Sequence, residues 1–327
     1  KALTEQAAQL TLTSRAFRNS QLALFYQELS EATGYEMSLP MNSGAEAVET
    51  AIKLARKWAY HVKGIKRPNA EIIVAEGNFH GRTTTIVSFS SNKKYKEDFA
   101  PLTPGFVTVP YGDAEAIEEA INKNTAAVML EPIQGEAGVA VPPAGYLRRV
   151  AEICEAANVL FMADEIQTGL GRTGKFFACQ HEGVRPDITI VGKALSGGFY
   201  PVSAVLADEE IMGLFQPGDH GSTFGGNPLG AAVARAAIKV LTEENLIENA
   251  EELGRYFMEQ LAEIPSPHVA EVRGKGMLIG VVLKPQAGGA RRFCEALQAR
   301  GILAKETHEH IIRFAPPLVI DKATIDE

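Results

Sequence analysis

Cysteine is scarce in this chain. Its three thiols, Cys154, Cys179 and Cys294, form no CxxC pair and cannot all pair with one another. That excludes a disulfide framework and fits a reducing compartment. Long apolar runs are also lacking, since no stretch approaches the roughly 20 residues of a membrane span. Positive charge is in deficit, with 32 Lys and Arg against 40 Asp and Glu. The resulting net charge of -8 argues against nucleic acid as the main partner. No internal repeat and no low-complexity segment interrupts the chain. The opening residues, Lys1-Ala2-Leu3-Thr4-Glu5, are no signal peptide and read as the middle of an amphipathic helix. Asp321 to Glu327 read as the start of a helix cut short. The expectation is that both natural ends lie outside the sequence. The expected compartment is the cytoplasm, or the mitochondrial matrix if a targeting segment precedes residue 1.

What is present is an ordinary globular composition, 46% hydrophobic and 22% charged over 327 residues, enough for about two domains. Apolar runs alternate with helical patterns. Strands are expected at Glu71–Ala75, Phe106–Val109, Ala126–Leu130, Val159–Ala163, Ile188–Val191 and Val202–Leu206. Helices are expected at Ala45–Val62, Asp113–Ile121 and Gly145–Ala157, then at Leu229–Leu241 and Leu246–Ala262. Strands that are continuously apolar are buried on both faces, so the fold class is α/β, a mostly parallel sheet covered by helices. After Pro265 and Pro267 come a run at Leu278–Leu283, a helix near Arg291–Ala299 and a run at Ile311–Phe314. These read as a smaller α+β domain. The expected division is 1–240 for the large domain and 241–327 for the small one.

Charge at the ends of these strands points to a site. Asp164 closes one apolar run and Lys193 another, and Glu131 closes a third. An unpaired ion costs several kcal/mol to desolvate, roughly, so charges placed there need a reason. Parallel sheets bind ligands outside the carboxyl ends of their strands. A desolvated lysine beside a buried carboxylate suits Schiff-base chemistry on pyridoxal phosphate. An ion pair at a sheet edge is the plainer alternative. Asn42-Ser43-Gly44-Ala45-Glu46 opens a strong helix. It serves either as a helix cap or as a phosphate cradle, because both use the same free N–H groups. Gly169-Leu170-Gly171-Arg172-Thr173-Gly174 fits a dinucleotide fingerprint. Lys175-Phe176-Phe177 does not clearly begin the helix that fingerprint needs, and no acid closes the next strand. A nucleotide-dependent oxidoreductase is therefore the remote alternative. Gly192-Lys193-Ala194 lacks the spacing of a P-loop, and His308-Glu309-His310 reads as a surface loop, so no metal site is expected.

Several motifs together resemble a known family, the class III, fold-type-I pyridoxal-phosphate aminotransferases, and within it the members that act on ornithine. The resemblance rests on Met41-Asn42-Ser43-Gly44, Gly77-Asn78-Phe79-His80-Gly81-Arg82-Thr83 and Glu131-Pro132-Ile133-Gln134-Gly135-Glu136. It extends through Ala163-Asp164-Glu165-Ile166-Gln167-Thr168-Gly169, Gly192-Lys193-Ala194-Leu195-Ser196-Gly197-Gly198, His220-Gly221-Ser222-Thr223-Phe224-Gly225-Gly226-Asn227-Pro228 and Ile312-Arg313-Phe314-Ala315-Pro316-Pro317. The resemblance implies that Lys193 carries the cofactor and that Asp164 pairs with its ring nitrogen. It places Gln167 on the ring hydroxyl, Phe79 on a ring face with His80 beside it, and Ser43, Gly44 and Ala45 on the phosphate. Ser222 and Thr223 are implied to reach the phosphate from a second subunit, which makes the site a property of a homodimer. Arg82, Glu131, Glu136 and Arg313 are assigned to substrate, with Arg82 and Arg313 on carboxylates and Glu136 as a movable partner of Arg313. The implied reaction moves the δ-amino group of L-ornithine to 2-oxoglutarate. N-acetylornithine and 4-aminobutyrate are the alternative substrates.

Overall fold

Residues 1–327 are all described by a computed structural model. Its centre is a seven-stranded sheet in the order β1-β7-β6-β5-β4-β2-β3. The strands are β1 (Met37–Met41), β2 (Glu71–Ala75), β3 (Phe106–Val109), β4 (Thr125–Leu130), β5 (Leu160–Asp164), β6 (Ile188–Val191) and β7 (Ser203–Ala207). The block from β3 to β6 is parallel. β7 runs antiparallel to both β6 and β1. Each expected strand is present, displaced by one residue at most. β1 escaped the sequence pattern for a physical reason. Met-Ser-Leu-Pro-Met is short and carries Pro40, which has no N–H to donate and is tolerated because β1 is an edge strand.

Alternate residues of each parallel strand bury into different cores. Ile72, Val74, Met129, Met162 and Ile190 pack on one face with α3 (Gly44–His61). Ile73, Val128, Leu130 and Phe161 pack on the other with α5 (Ala114–Ala120) and α6 (Tyr146–Ala156). Burial on both faces is what made the strands read as unbroken apolar runs. Ahead of β1 lie α1 (Ala2–Ala7) and α2 (Ser20–Thr33), and α2 packs with α8 (Pro228–Glu243) over Tyr35, Val191 and Leu206. The sequence reading did not identify α2, although Asn19 caps its start and left-handed Gly34 ends it. The short helices α4 (Thr84–Ser88) and α7 (Glu209–Met212) close the layer. No helix is long and apolar enough to cross a membrane.

A second sheet, order β10-β11-β9-β8, is antiparallel throughout. It comprises β8 (Val269–Lys275), β9 (Leu278–Leu283), β10 (Lys305–Thr307) and β11 (Ile311–Phe314). α9 (Leu246–Glu263) packs on β8, and α10 (Arg291–Gln298) contributes Cys294 to a core with Val281, Leu283 and Ile312. The chain ends in α11 (Lys322–Asp326), capped by Asp321. The mostly parallel sheet with a smaller antiparallel one is the fold class expected from the sequence.

α9 crosses the β8–β9 turn so closely that a Cβ on Gly254 would lie 2.2 Å from the Gly276 carbonyl oxygen. Gly254→Ala should therefore lower stability by about 1–3 kcal/mol, despite alanine's better helix propensity. A urea midpoint no lower than that of the parent would show that the two elements separate without cost.

Candidate active site

The three strand-end charges converge. Glu131 follows β4, Asp164 ends β5 and Lys193 follows β6 after Gly192. Asp164 is only 4% exposed, so its oxygens depend on protein partners. It has one on each oxygen. His80 Nδ1–H donates to Oδ2 at 2.7 Å, and the Ile166 backbone N–H donates to Oδ1 at 3.1 Å. Burial alone would lower the His80 pKa, but its hydrogen bond to Asp164 and the charges of Asp164 and Glu131 raise it. His80 therefore supports Asp164 from behind. That role was invisible in the motif, where the resemblance set His80 among the cofactor-binding residues. Glu131 is buried too, and its Oε2 accepts from the Phe79 N–H at 2.9 Å. Burial pushes its carboxyl up to about 7, with His80 opposing and the Asp164 charge reinforcing the rise. Glu131, assigned to substrate from the sequence, thus holds the backbone of Phe79 from inside the protein.

Lys193 begins a tight turn after β6 with a left-handed φ of 40°, uncommon for a side chain other than glycine. It opens onto a cavity of about 930 Å³, shared with Gln167, Glu136 and Arg313 on its polar side and with Leu170 and Leu318 on its apolar side. Desolvation lowers the lysine pKa, which moves its amine toward the neutral, nucleophilic form.

α3 aims its N-terminus at the same region. Ser43 caps it, accepting from the Glu46 N–H at 3.2 Å, and the Glu46 carboxylate accepts from the Ser43 N–H at 2.6 Å. The capping alternative is therefore real. It leaves the N–H groups of Gly44 and Ala45 bonded to no acceptor in the chain, so the end keeps its capacity for an anion. Ile166 packs against both ends of this arrangement. Its side chain lies 2.9 Å from where a Gly44 Cβ would be and 3.4 Å from where a Gly192 Cβ would be.

The second sheet supplies a charged cluster. Arg313 Nη1 donates to Glu136 Oε1 at 2.6 Å and to Gln167 Oε1 at 3.2 Å. Lys305, directly across the β10–β11 pair from Arg313, donates to Glu136 Oε2 at 2.8 Å. Burial resists ionisation of Glu136, but the bonds from Lys305 and Arg313 prevail and lower its pKa to about 2. Gln167 approaches because position 135 is glycine; a Cβ there would sit 1.6 Å from Gln167 Oε1. Lys305 was missed from the sequence. The hairpin spacing about the left-handed His308 is the signal that places it opposite Arg313.

Other expected residues lie apart from this cluster. Arg82 rests over the rings of Tyr95 at 4.8 Å and Phe79 at 5.7 Å, a cation–π arrangement on an exposed side chain. Tyr95 carried no signal in the sequence. Thr223 is exposed, and Ser222 Oγ accepts from the Gly225 N–H at 2.9 Å and from Asn42 Nδ2 at 3.2 Å. The Gly169–Gly174 loop opens no helix. Glycines 171 and 174 have left-handed φ and press against Leu241 and Glu251. Arg172 fastens the loop to the second sheet: its carbonyl accepts from the Met277 N–H at 2.9 Å. Its Nη1 donates to the carbonyls of Met277 at 3.1 Å and Pro316 at 2.6 Å. The dinucleotide alternative fails on this packing.

The raised pKa of Glu131 has a signed consequence. A carboxyl easier to protonate in the folded state stabilises fully below its ordinary value of 4.5, and that contribution is lost as pH rises through about 7. Glu131→Gln keeps an acceptor for the Phe79 N–H and removes the titration. Thermal midpoints measured across that window should fall less steeply in the variant than in the parent. Parallel curves would assign the pH dependence elsewhere.

Comparison with known proteins agrees with the geometry. The class-III aminotransferase family model matches residues 1–327. Ornithine aminotransferase of Brevibacillus brevis is 59% identical over 326 residues, 100% of this chain and 81% of that protein. The crystal structure of ornithine aminotransferase from Toxoplasma gondii superposes with a TM-score of 0.97 at 46% identity, covering 99% of this chain and 78% of that one. Acetylornithine aminotransferase from Elizabethkingia anophelis superposes at 0.89 with 50% identity, covering 99% and 80%. With its strand-end lysine and carboxylate and a family match along its whole length, the chain belongs to the class-III aminotransferases.

Proposed function

We propose that the protein is an ornithine aminotransferase, moving the δ-amino group of L-ornithine to 2-oxoglutarate and yielding glutamate 5-semialdehyde and L-glutamate. The observation that carries the substrate is the Arg313–Glu136 ion pair beside Lys193. Such a pair presents a neutral surface to a substrate's amine-bearing end while it is closed. Once opened, it presents a guanidinium to a carboxylate. Ornithine offers a terminal amine with no adjacent carboxylate, whereas 2-oxoglutarate offers a carboxylate next to its reacting carbon. One site must serve both in turn. Relatives that carry the ornithine name support the choice. The acetylornithine enzyme, at 50% identity, keeps N-acetylornithine as the second reading.

Pyridoxal phosphate fits the residues present. The free N–H groups of Gly44 and Ala45 suit its phosphate, the buried carboxylate of Asp164 its ring nitrogen, and Lys193 its aldehyde. A solved relative is described with the cofactor at its active site. When bound, the cofactor supplies an electron sink for the substrate carbon that loses its proton. Lys193 Nζ moves that proton, helped by its lowered pKa. Phe79, its backbone held by Glu131, would cover a ring face, and Gln167 would meet the ring hydroxyl. Arg82, held over the rings of Phe79 and Tyr95, would take a substrate carboxylate. Two copies form a homodimer in which Ser222 and Thr223 of one reach the phosphate of the other. Exposed Phe224 and Phe199, at 48% and 80%, suit a covered surface there.

The absorbance of the holoenzyme tests this directly. Addition of L-ornithine without keto acid should replace the visible band of the lysine-bound cofactor by the shorter-wavelength band of its amine form. Lys193→Ala should show neither the initial band nor the change. A spectrum altered by N-acetylornithine and untouched by ornithine would move the assignment to the second reading. Glu136→Ala exposes Arg313 permanently and should shift the kcat/KM ratio toward α-amine donors by about tenfold or more, roughly 1.4 kcal/mol. An unchanged ratio would remove Glu136 from substrate choice.

A further inference from the structure

Glu136 is bound at both oxygens by different cations. Oε1 faces Arg313 Nη1 at 2.6 Å, and Oε2 faces Lys305 Nζ at 2.8 Å. The two cations differ in setting. The Arg313 side chain is 14% exposed and the Lys305 side chain 57%, so one lies in the cavity and the other on its rim. Their backbones are paired across β10 and β11, which puts both side chains on one face of the hairpin at a fixed separation. The carbonyl of Glu136 is tied to the same hairpin by Thr307 Oγ1, which donates to it at 2.6 Å. Only the carboxylate is left to move. All the hydrogen bonds of the Arg313 guanidinium leave from Nη1, so its other edge is free for a planar carboxylate.

A carboxylate that abandons Arg313 in this half-buried setting would be costly if it went unpaired. It does not, because its second oxygen already has a cation. We infer that Lys305 is a positioning residue that sets substrate specificity: it retains Glu136 when an incoming carboxylate takes Arg313, and so lowers the cost of admitting the keto acid. This inference rests on the proposed ornithine reaction. Loss of Lys305 removes the holding cation and leaves Arg313 as the only cation on Glu136, with Gln167 Nε2 a long 3.5 Å donor to the same oxygen that Arg313 holds. Both effects hinder the half-reaction that needs a free Arg313. The half-reaction that uses the closed pair is not penalised.

The two half-reactions of the holoenzyme can be followed separately by absorbance in single turnovers. Lys305→Gln should raise the half-saturating concentration of 2-oxoglutarate by roughly three- to tenfold, as expected for a partly screened ion pair, with the limiting rate little changed. The ornithine half-reaction should keep its half-saturating concentration. Lys305→Arg should restore the parent value, and Lys305→Gln should have no effect on 2-oxoglutarate in a Glu136→Ala background. Equal damage to both half-reactions, or damage that persists without Glu136, would overturn the inference, as would an unaltered response to 2-oxoglutarate. If the parent enzyme itself fails to turn over ornithine, the proposed reaction falls instead, and the comparison distinguishes the two.

Discussion

Everything at this site depends on satisfying one carboxylate where water is nearly absent. Asp164 ends a strand buried on both faces, and His80 and the Ile166 N–H each donate to one of its oxygens. The arrangement recruits neighbours in turn. His80 comes from the segment after β2, which also delivers Phe79 to Glu131. Ile166 bridges the start of α3 and the turn that carries Lys193. Three parallel strands with common polarity bring these segments to one edge, so a group that meets one charge must meet the others.

The second sheet does different work. Arg313 and Lys305 belong to its hairpin, and they hold one side chain of the large sheet's Glu136 loop by different oxygens. On the proposed reading, the residues that meet the cofactor and those that select the substrate sit on separate elements joined by a few hydrogen bonds.

Much of this was legible in the amino-acid sequence, and the exceptions have physical causes. Strands buried on both faces announce themselves as apolar runs, and a charge that closes such a run stands out. Lys193, Asp164 and Glu131 were therefore visible from pattern alone. The edge strand at Met37–Met41 was not, since it is short and interrupted by Pro40. The capping and phosphate readings of Ser43-Gly44-Ala45 could not be separated from sequence because both draw on the free N–H groups of one turn; only the structure shows that the cap takes the Glu46 N–H and leaves those of Gly44 and Ala45. His80 as the support of Asp164, and Lys305 as a second partner of Glu136, are tertiary facts. Each depends on two segments more than eighty residues apart meeting at hydrogen-bond distance. Arg82 shows the converse: its motif neighbour Phe79 was named, but the ring of Tyr95 beneath it lies outside any motif.

The staple formed by Arg172 has a wider meaning. Its guanidinium is buried against the backbone carbonyls of Met277, in the β8–β9 turn, and Pro316, just past β11, and burial lowers its pKa to about 10. It lies only a few residues beyond Asp164 on a continuous loop. Detaching the second sheet would thus tug on the segment that holds the buried carboxylate. Local opening of the second sheet is thereby coupled to the Asp164 segment through a single buried side chain. A half-open form that kept the lysine in place while the second sheet swung away would first have to break the Arg172 bonds.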